Sequence, residues 1–359
     1  MQVTKAEVVH GKQPILLPEP WLPAWCEPDG KPVTSFDFAG YKLYTDEGIV
    51  GIGPYTGGNP ALVEGVDPFM VRAFWDATMS GRRAGNSGHN AAGLEIALWD
   101  IVGKAAGLPL YKLLGAQRDR LMVYAATSRL LPAQELADEV LALMELGFKA
   151  VKLRLHRPDP RDDLAAVRAV REAAGDDLLI LVDCNQNNPS RHYRFWSRRT
   201  SLKMARALDE LDVYLLEEPR PRQDLEGLIE IAAQVDMLVA GGEHTPTVFD
   251  FKPHIQQRAY DVIQPDVVLG GNFGITGLRK VSEMADFYGC QVIPHVLSNG
   301  ARFPLCMAAT LHAMASVDNC PMVEYGYDPP ILIPAHHQVF VHEPILVEAD
   351  GCVPLPAKP

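Results

Sequence analysis

The amino-acid sequence predicts an α/β protein, a (β/α)8-type TIM barrel carrying an N-terminal α+β capping domain. Two observations predict it. Eight short β-prone runs alternate with amphipathic helical segments over about 200 residues from Leu121 onward, the order of a closed parallel barrel. The chain, at 359 residues, is also more than twice a typical domain, so it has room for a barrel and an appendage. A doubly wound sheet would more often show six strands and a glycine-rich first turn, and no G-x-G-x-x-G or Walker sequence follows the first run.

Taken in order, residues 1–120 mix strand-like segments (2–10, 36–45) with turn-rich loops and two helical stretches, which reads as an α+β unit. The second stretch, 90–107, has apolar residues at near-helical spacing and stops at Gly107 before Pro109. The barrel is expected over 121–326, with strands at 121–125, 150–155, 178–183, 213–218, 237–243, 260–266, 290–295 and 321–325. Helices are expected between them, at 133–146, 162–174, 202–211, 225–235 and 276–288 among others. The tail, 327–359, has short extended segments at 339–342 and 345–348 and is expected to pack back on the N-terminal unit.

Composition narrows the function classes. Hydrophobic residues make up 47% and charged residues 22%, which argues against disorder, collagen-like repeats and coiled coil. Thirty-three basic against 45 acidic residues give a net charge of -12, a balance that repels nucleic acid. No apolar run exceeds strand length and the first 17 residues hold no compact apolar stretch, so neither a membrane span nor a secretory signal is expected, and the expected compartment is the cytoplasm. Six scattered cysteines without a C-x-x-C pair make a zinc knuckle or a disulfide framework unexpected. A closed homo-oligomer is the general expectation for a soluble folded chain.

The chemistry lies at the strand ends. Asp183, Glu217, Glu243 and Asp266 each terminate a hydrophobic run, and the C-terminal ends of barrel strands share one mouth. Unpaired, such acids repel one another strongly in a low-dielectric cleft, so a divalent cation is expected on the first three. All-oxygen ligands from single residues suit Mg2+. For any single acid the alternative is a helix cap or an arginine partner; a run of three on consecutive strands favours the metal. On the second strand Lys152, Arg154 and His156 fall at i, i+2 and i+4, so alternation gives that strand a cationic face. His156 could equally be a loop histidine. His295 ends the seventh strand, next to the strand of Asp266, and an Asp-His pair makes a stronger base.

These residues, in this order, resemble the enolase superfamily and within it the mandelate racemase-like subgroup. The resemblance runs along nearly the whole chain, through "LEIALWDIVGKAAGLPLYKLLG" (94–115), "VKLR", "LVDCNQ", "LLEEP", "GGEH", "IQPD", "IPH" and "VEYG". It implies an enolase-like, modified barrel in which one Mg2+ is bound by Asp183, Glu217 and Glu243, a base made of His295 paired with Asp266, and Lys152 and a protonated Glu324 that stabilise charge on the substrate carboxylate. Glu218 is not a ligand in such families and would point outward by strand alternation. Loop 18–31, with Trp21 and Trp25, looks like the family's specificity loop, interdomain packing being the equal alternative for the two tryptophans; Trp25, Asn185 and His156 are the expected substrate contacts.

Two departures matter. Racemases of the subgroup usually carry Lys-x-Lys on strand two, the second lysine serving as base on the opposite face; here that position is Arg154, which does not deprotonate at working pH. The expected activity is therefore a carbon-oxygen lyase that removes the α-proton of a sugar acid and eliminates the β-hydroxyl, giving a 2-keto-3-deoxy acid. A racemase or epimerase of a 2-hydroxy acid is the alternative. From other classes, a barrel that had lost its chemistry would not retain the ligands together with His295, Asp266 and Glu324, and a zinc hydrolase would need an H-x-H where "VYAATS" stands. The second departure is the insert 188–200, with Arg191, His192, Arg194, Arg198 and Arg199; it reads as a solvated loop, a subunit contact or a positive rim for an anionic substrate.

Overall fold

The computed structural model describes residues 1–26, 29–80, 90–187, 195–270, 273–297, 300 and 302–359. The N-terminal unit contains a three-stranded antiparallel sheet, β1 (Val3–His10), β4 (Ala39–Thr45) and β5 (Val50–Pro54), in the order β1-β4-β5, and a separate hairpin of β2 (Ile15–Trp21) with β3 (Val33–Phe36). Helices α1 (Val71–Thr78), α2 (Ala92–Ala106) and the single turn α3 (Leu110–Leu113) follow. Helix α2 is apolar on most of its circumference because it is covered on both sides, by the sheet and by a barrel helix. The sheet approaches it so closely that a Cβ on Gly53 would stand 2.0 Å from the Gly93 carbonyl oxygen, which is why glycines fill β5 and the first turn of α2. Gly107, at φ 66°, ends the helix.

The barrel strands are β6 (Arg120–Ala126), β7 (Ala150–Arg154), β8 (Leu179–Asp183), β9 (Leu215–Glu217), β10 (Leu238–Gly241), β11 (Val262–Ile263), β12 (Gln291–Val292) and β13 (Val323–Gly326). They alternate with α4 (Ala133–Glu145), α5 (Pro160–Ala174), α6 (Arg198–Asp209), α7 (Leu225–Ala232), α8 (Phe251–Gln256), α9 (Gly274–Asp286) and α10 (Phe303–Met314). Their starts carry local signals: Asp159, Ser197 and Asp224 cap α5, α6 and α7 with side-chain oxygens. All eight strands are parallel, in the order β12-β11-β10-β9-β8-β7-β6-β13. Across the remaining gap, Val292 N–H donates to the Asn319 carbonyl at 2.9 Å and Val296 N–H to Glu324 Oε2 at 3.2 Å.

The sixth and seventh strands are shorter than their apolar runs suggest, because Pro265 and Pro294 have no N–H to give to a ladder. The register nevertheless continues past both prolines as an isolated parallel bridge between Asp266 and His295. The tail forms the turn α11 (Pro334–His337) and the strand β14 (Cys352–Pro354). It touches the N-terminal unit through Phe340 on Phe38 (4.9 Å) and through Ile331 and Leu332, which cluster with Trp21 and Phe36. It then pairs antiparallel with β6 of the barrel, so it serves both units. Segments 339–342 and 345–348 form no strand. Among the described residues no helix is long and apolar enough to cross a membrane.

The joint between the units centres on Glu95 of α2. Helix α9 begins at Phe273 without a side-chain cap. Glu95 supplies one from the other unit, accepting the N–H of Ile275 at 2.9 Å and of Thr276 at 3.0 Å, with the Trp99 indole at 2.9 Å. Burial pushes its carboxyl up to about 7, against the pull of these donors. Glu95→Ala leaves two buried N–H groups without an acceptor and is expected to lower stability by roughly 2–4 kcal/mol, read as a fall in the urea midpoint; an unchanged midpoint would remove Glu95 from the joint.

Candidate active site

Strand alternation delivers the polar side chains to the barrel mouth. Each of β7, β8 and β9 is apolar at its start, and its last inward residue is charged: Arg154, Asp183 and Glu217, which stand side by side in the β7-β8-β9 register. Lys152 lies one inward step below Arg154, without solvent exposure. The structure brings together Lys152, Arg154, Asp183, Glu217, Glu243, Asp266, His295 and Glu324.

Cations hold the acids. Lys152 Nζ is 2.8 Å from Glu217 Oε2, 3.1 Å from Glu324 Oε1 and 3.9 Å from Asp183 Oδ2. The Arg154 guanidinium binds Asp183 through Nη1 and donates from Nε to the Thr127 carbonyl at 2.8 Å. Glu243 meets His244 Nε2 at 2.9 Å and His295 Nε2 at 3.4 Å. Among the described residues no three His, Cys, Asp or Glu side chains converge on one point as a ready-made metal centre.

The charge balance shows what the site lacks. Asp183, Glu217, Glu218, Glu243, Asp266 and Glu324 are all 6% exposed or less, and Lys152 and Arg154 are the fixed cations among them. Burial, then Asp183, pushes the Glu217 carboxyl up to about 7, and burial with Glu243 raises Glu218 well above the usual range. Glu217 Oε1 is buried without a hydrogen-bond partner. An excess of buried negative charge, an orphaned carboxylate oxygen and an all-oxygen set at three consecutive strand ends fit a hard divalent cation.

Asp266 is the most rigidly held acid. Its Oδ1 accepts the N–H of Val268 (2.6 Å) and Leu269 (2.7 Å), and its Oδ2 accepts that of Leu297 (3.0 Å). Oδ2 also lies 2.6 Å from His295 Nδ1. This pairing assigns the Nδ1 proton to the Asp266 side and turns Nε2 toward Glu243 and Glu324, at 3.4 and 4.0 Å. Burial lowers the imidazole's pKa, but Glu243, Glu324 and Asp266 outweigh it and push it up to about 10. Glu243, Glu324 and Asp266 together favour the protonated ring, and a cation sharing the charge of Glu243 would weaken that hold on Nε2.

The remaining expected residues behave as follows. Asn185, at φ 45°, donates from its backbone (2.8 Å) and side chain (3.0 Å) to Asp183, and its Oδ1 is buried without a partner. Trp25 lies over Arg154, ring centre to guanidinium carbon 4.7 Å, whereas Trp21 is buried in interdomain packing. His156 touches the capping loop, Nδ1 to the Ala24 carbonyl at 3.0 Å. Glu324 Oε1 is 3.1 Å from Lys152 Nζ and its Oε2 accepts the Val296 N–H; burial raises its carboxyl, and Lys152, His295 and Arg154 outweigh that and lower it. Glu218 follows Glu217 past the strand end. Its φ is 46° and it is 2% exposed. Of the basic insert, 188–194 lies outside the described residues, and Arg198 is engaged by Asp224 and Glu226.

Sequence reasoning missed Gln264 and Tyr124. Gln264 precedes Asp266 by two on the same face, and both atoms of its buried amide lack partners, as does the Tyr124 hydroxyl. The i, i+2 spacing from Asp266 was the available signal. His244, directly after Glu243, was also missed.

Comparison with known proteins agrees with this architecture. The enolase C-terminal domain-like family matches residues 135–359, and the mandelate racemase / muconate lactonizing enzyme N-terminal domain family matches residues 33–115. The L-talarate/galactarate dehydratase of Salmonella typhimurium is 31% identical over 262 residues, covering 72% of this chain and 61% of that protein's own length. The 3,6-anhydro-alpha-L-galactonate cycloisomerase of Streptomyces coelicolor is 30% identical, covering 83% and 75%. The crystal structure of an L-talarate dehydratase from Polaromonas sp. JS666, complexed with Mg and L-glucarate, superimposes with a TM-score of 0.80 at 27% identity, covering 100% of this chain and 93% of that one. With both of its domains matched in order, this chain belongs to the mandelate racemase / muconate lactonizing enzyme family of the enolase superfamily.

Proposed function

We propose that the protein is a Mg2+-dependent hydro-lyase that converts a sugar acid to a 2-keto-3-deoxy acid. The observation that carries this reading is the asymmetry of the site: one Asp-His pair on one side, and on the other an arginine that cannot act as a base.

Asp183, Glu217 and Glu243 are the residues that would hold the ion. Bound there, Mg2+ would supply Lewis-acid charge to the substrate carboxylate. His295 Nε2 takes the α-proton, and the electron pair of the broken C–H bond moves into the carboxylate. Lys152, a fixed cation between Glu217 and Glu324, adds stabilising charge at the floor of the site. The electron pair then returns to expel the β-hydroxyl, His295 Nε2 gives that group its proton, and water leaves. The resulting enol becomes the 2-keto-3-deoxy acid. Asp266, immobilised by its three backbone donors, keeps the imidazole aimed through both proton transfers.

An epimerase would need a second base on the opposite face of the α-carbon. Arg154 is a permanent cation bound to Asp183. Lys152 is pinned by two carboxylates, which hold its ammonium protonated. The dehydratase relatives support the same choice.

A screen of mono- and diacid sugars should find 2-keto acid formation that depends on Mg2+; no keto product from any of them would contradict the reading. His295→Asn is expected to lower turnover by about 10²- to 10⁴-fold, while the rise in melting temperature on adding Mg2+ remains. Glu217→Gln is expected to abolish that rise, and a wild-type shift retained in Glu217→Gln would move the ion elsewhere.

A further inference from the structure

Three polar contacts tie segment 21–26 of the capping domain to the barrel. The Trp21 indole Nε1–H donates to Ser128 Oγ at 2.9 Å. The Ala24 N–H donates to the Ser128 carbonyl at 2.7 Å. The third contact is His156 Nδ1 on the Ala24 carbonyl at 3.0 Å. Ser128 follows β6 and His156 follows β7, so the loop is gripped from the C-terminal ends of two adjacent strands.

Ser128 is itself fixed. Its N–H donates to Asp328 Oδ2 at 2.9 Å, and its hydroxyl donates to the same oxygen. Arg129 holds the other oxygen of Asp328 with Nε at 3.0 Å and Nη2 at 2.8 Å. Ser128 and Asp328 are fully buried and Trp21 is 2% exposed. The relay has a direction. An indole N–H can only donate, and a serine hydroxyl has one proton. With that proton committed to Asp328, the lone pair of Oγ is left facing the indole. Trp21 in turn packs edge-on against Trp25, ring centres 5.9 Å apart, and Trp25 covers the Arg154 guanidinium.

We infer that Ser128, oriented by Asp328, is a positioning residue: through Trp21 it sets where Trp25 lies over Arg154, and hence the shape of the compartment that receives the part of the substrate distal to its carboxylate. Its kinetic consequence rests on the sugar-acid reading; its structural consequence does not.

The test uses the full chain with 15N-labelled tryptophan and arginine. Ser128→Ala is expected to speed solvent exchange of the Trp21 indole N–H about tenfold, the loss of one buried hydrogen bond. It should also move the Arg154 guanidinium resonances away from their ring-current-shifted positions. KM for the sugar acid should rise by a similar factor with kcat within about twofold. Ser128→Thr keeps the hydroxyl and should match the wild type. Trp21→Phe removes the donor and leaves an aromatic ring at the site, so it should reproduce the KM rise. Unchanged indole exchange in Ser128→Ala overturns the inference. So does faster exchange with unmoved Arg154 resonances, because Ser128 would then act on packing alone. If the wild type turns over no sugar acid, the proposed function fails and the two resonance measurements still decide this point.

Discussion

Six carboxylates crowd the mouth of the barrel, out of water, with two fixed cations among them. Each feature of the site answers that excess. Lys152 and Arg154 occupy a strand face that would otherwise be branched and apolar. Asp266 survives as a buried acid because three backbone N–H groups and an imidazole surround it. Glu217 has no comparable set of donors, and its carboxyl is pushed up to about 7. A divalent cation at Asp183, Glu217 and Glu243 would relieve the repulsion and also weaken the hold of Glu243 on the His295 proton.

The capping unit is held on the barrel at two separate places. On the outer side of the barrel, Glu95 reaches from α2 to the open N-terminus of α9, and the Trp75 indole donates to the Phe273 carbonyl at 2.7 Å. At the mouth, the contacts are to Ser128 and His156, each the second residue past a barrel strand. The first joint lies at the start of α9, where the Gly274 N–H donates to the carbonyl of Val267, the residue after Asp266, at 2.9 Å. The second bears directly on the residues that cover Arg154. A barrel that keeps its acids dry in this way strengthens every interaction inside it.

Much of this was legible in the sequence, for a physical reason. Parallel strands buried on both faces must be apolar until they reach the mouth, so a charge at the end of such a run, as at Asp183 and Glu217, marks both the strand and the site. Period-two alternation placed Lys152 and Arg154 together for the same reason. The ladder stopped early at Pro265 and Pro294. The contact of Glu324 with the Lys152 ammonium, 3.1 Å away, could not be read from its type, because the lysine comes from a strand some 170 residues earlier. The Ser128–Asp328 contact spans 200 residues and has no periodic signature. Only packing reveals it.

The central claim is that one base works on one face of the substrate. The direct measurement is turnover of an active sugar acid in D2O, with product and recovered substrate analysed by NMR and mass spectrometry. The account predicts a 2-keto-3-deoxy acid as product and recovered substrate with its α-carbon configuration intact. Accumulation of the α-epimer carrying deuterium, with Arg154 in place, would contradict it and require a second base opposite His295.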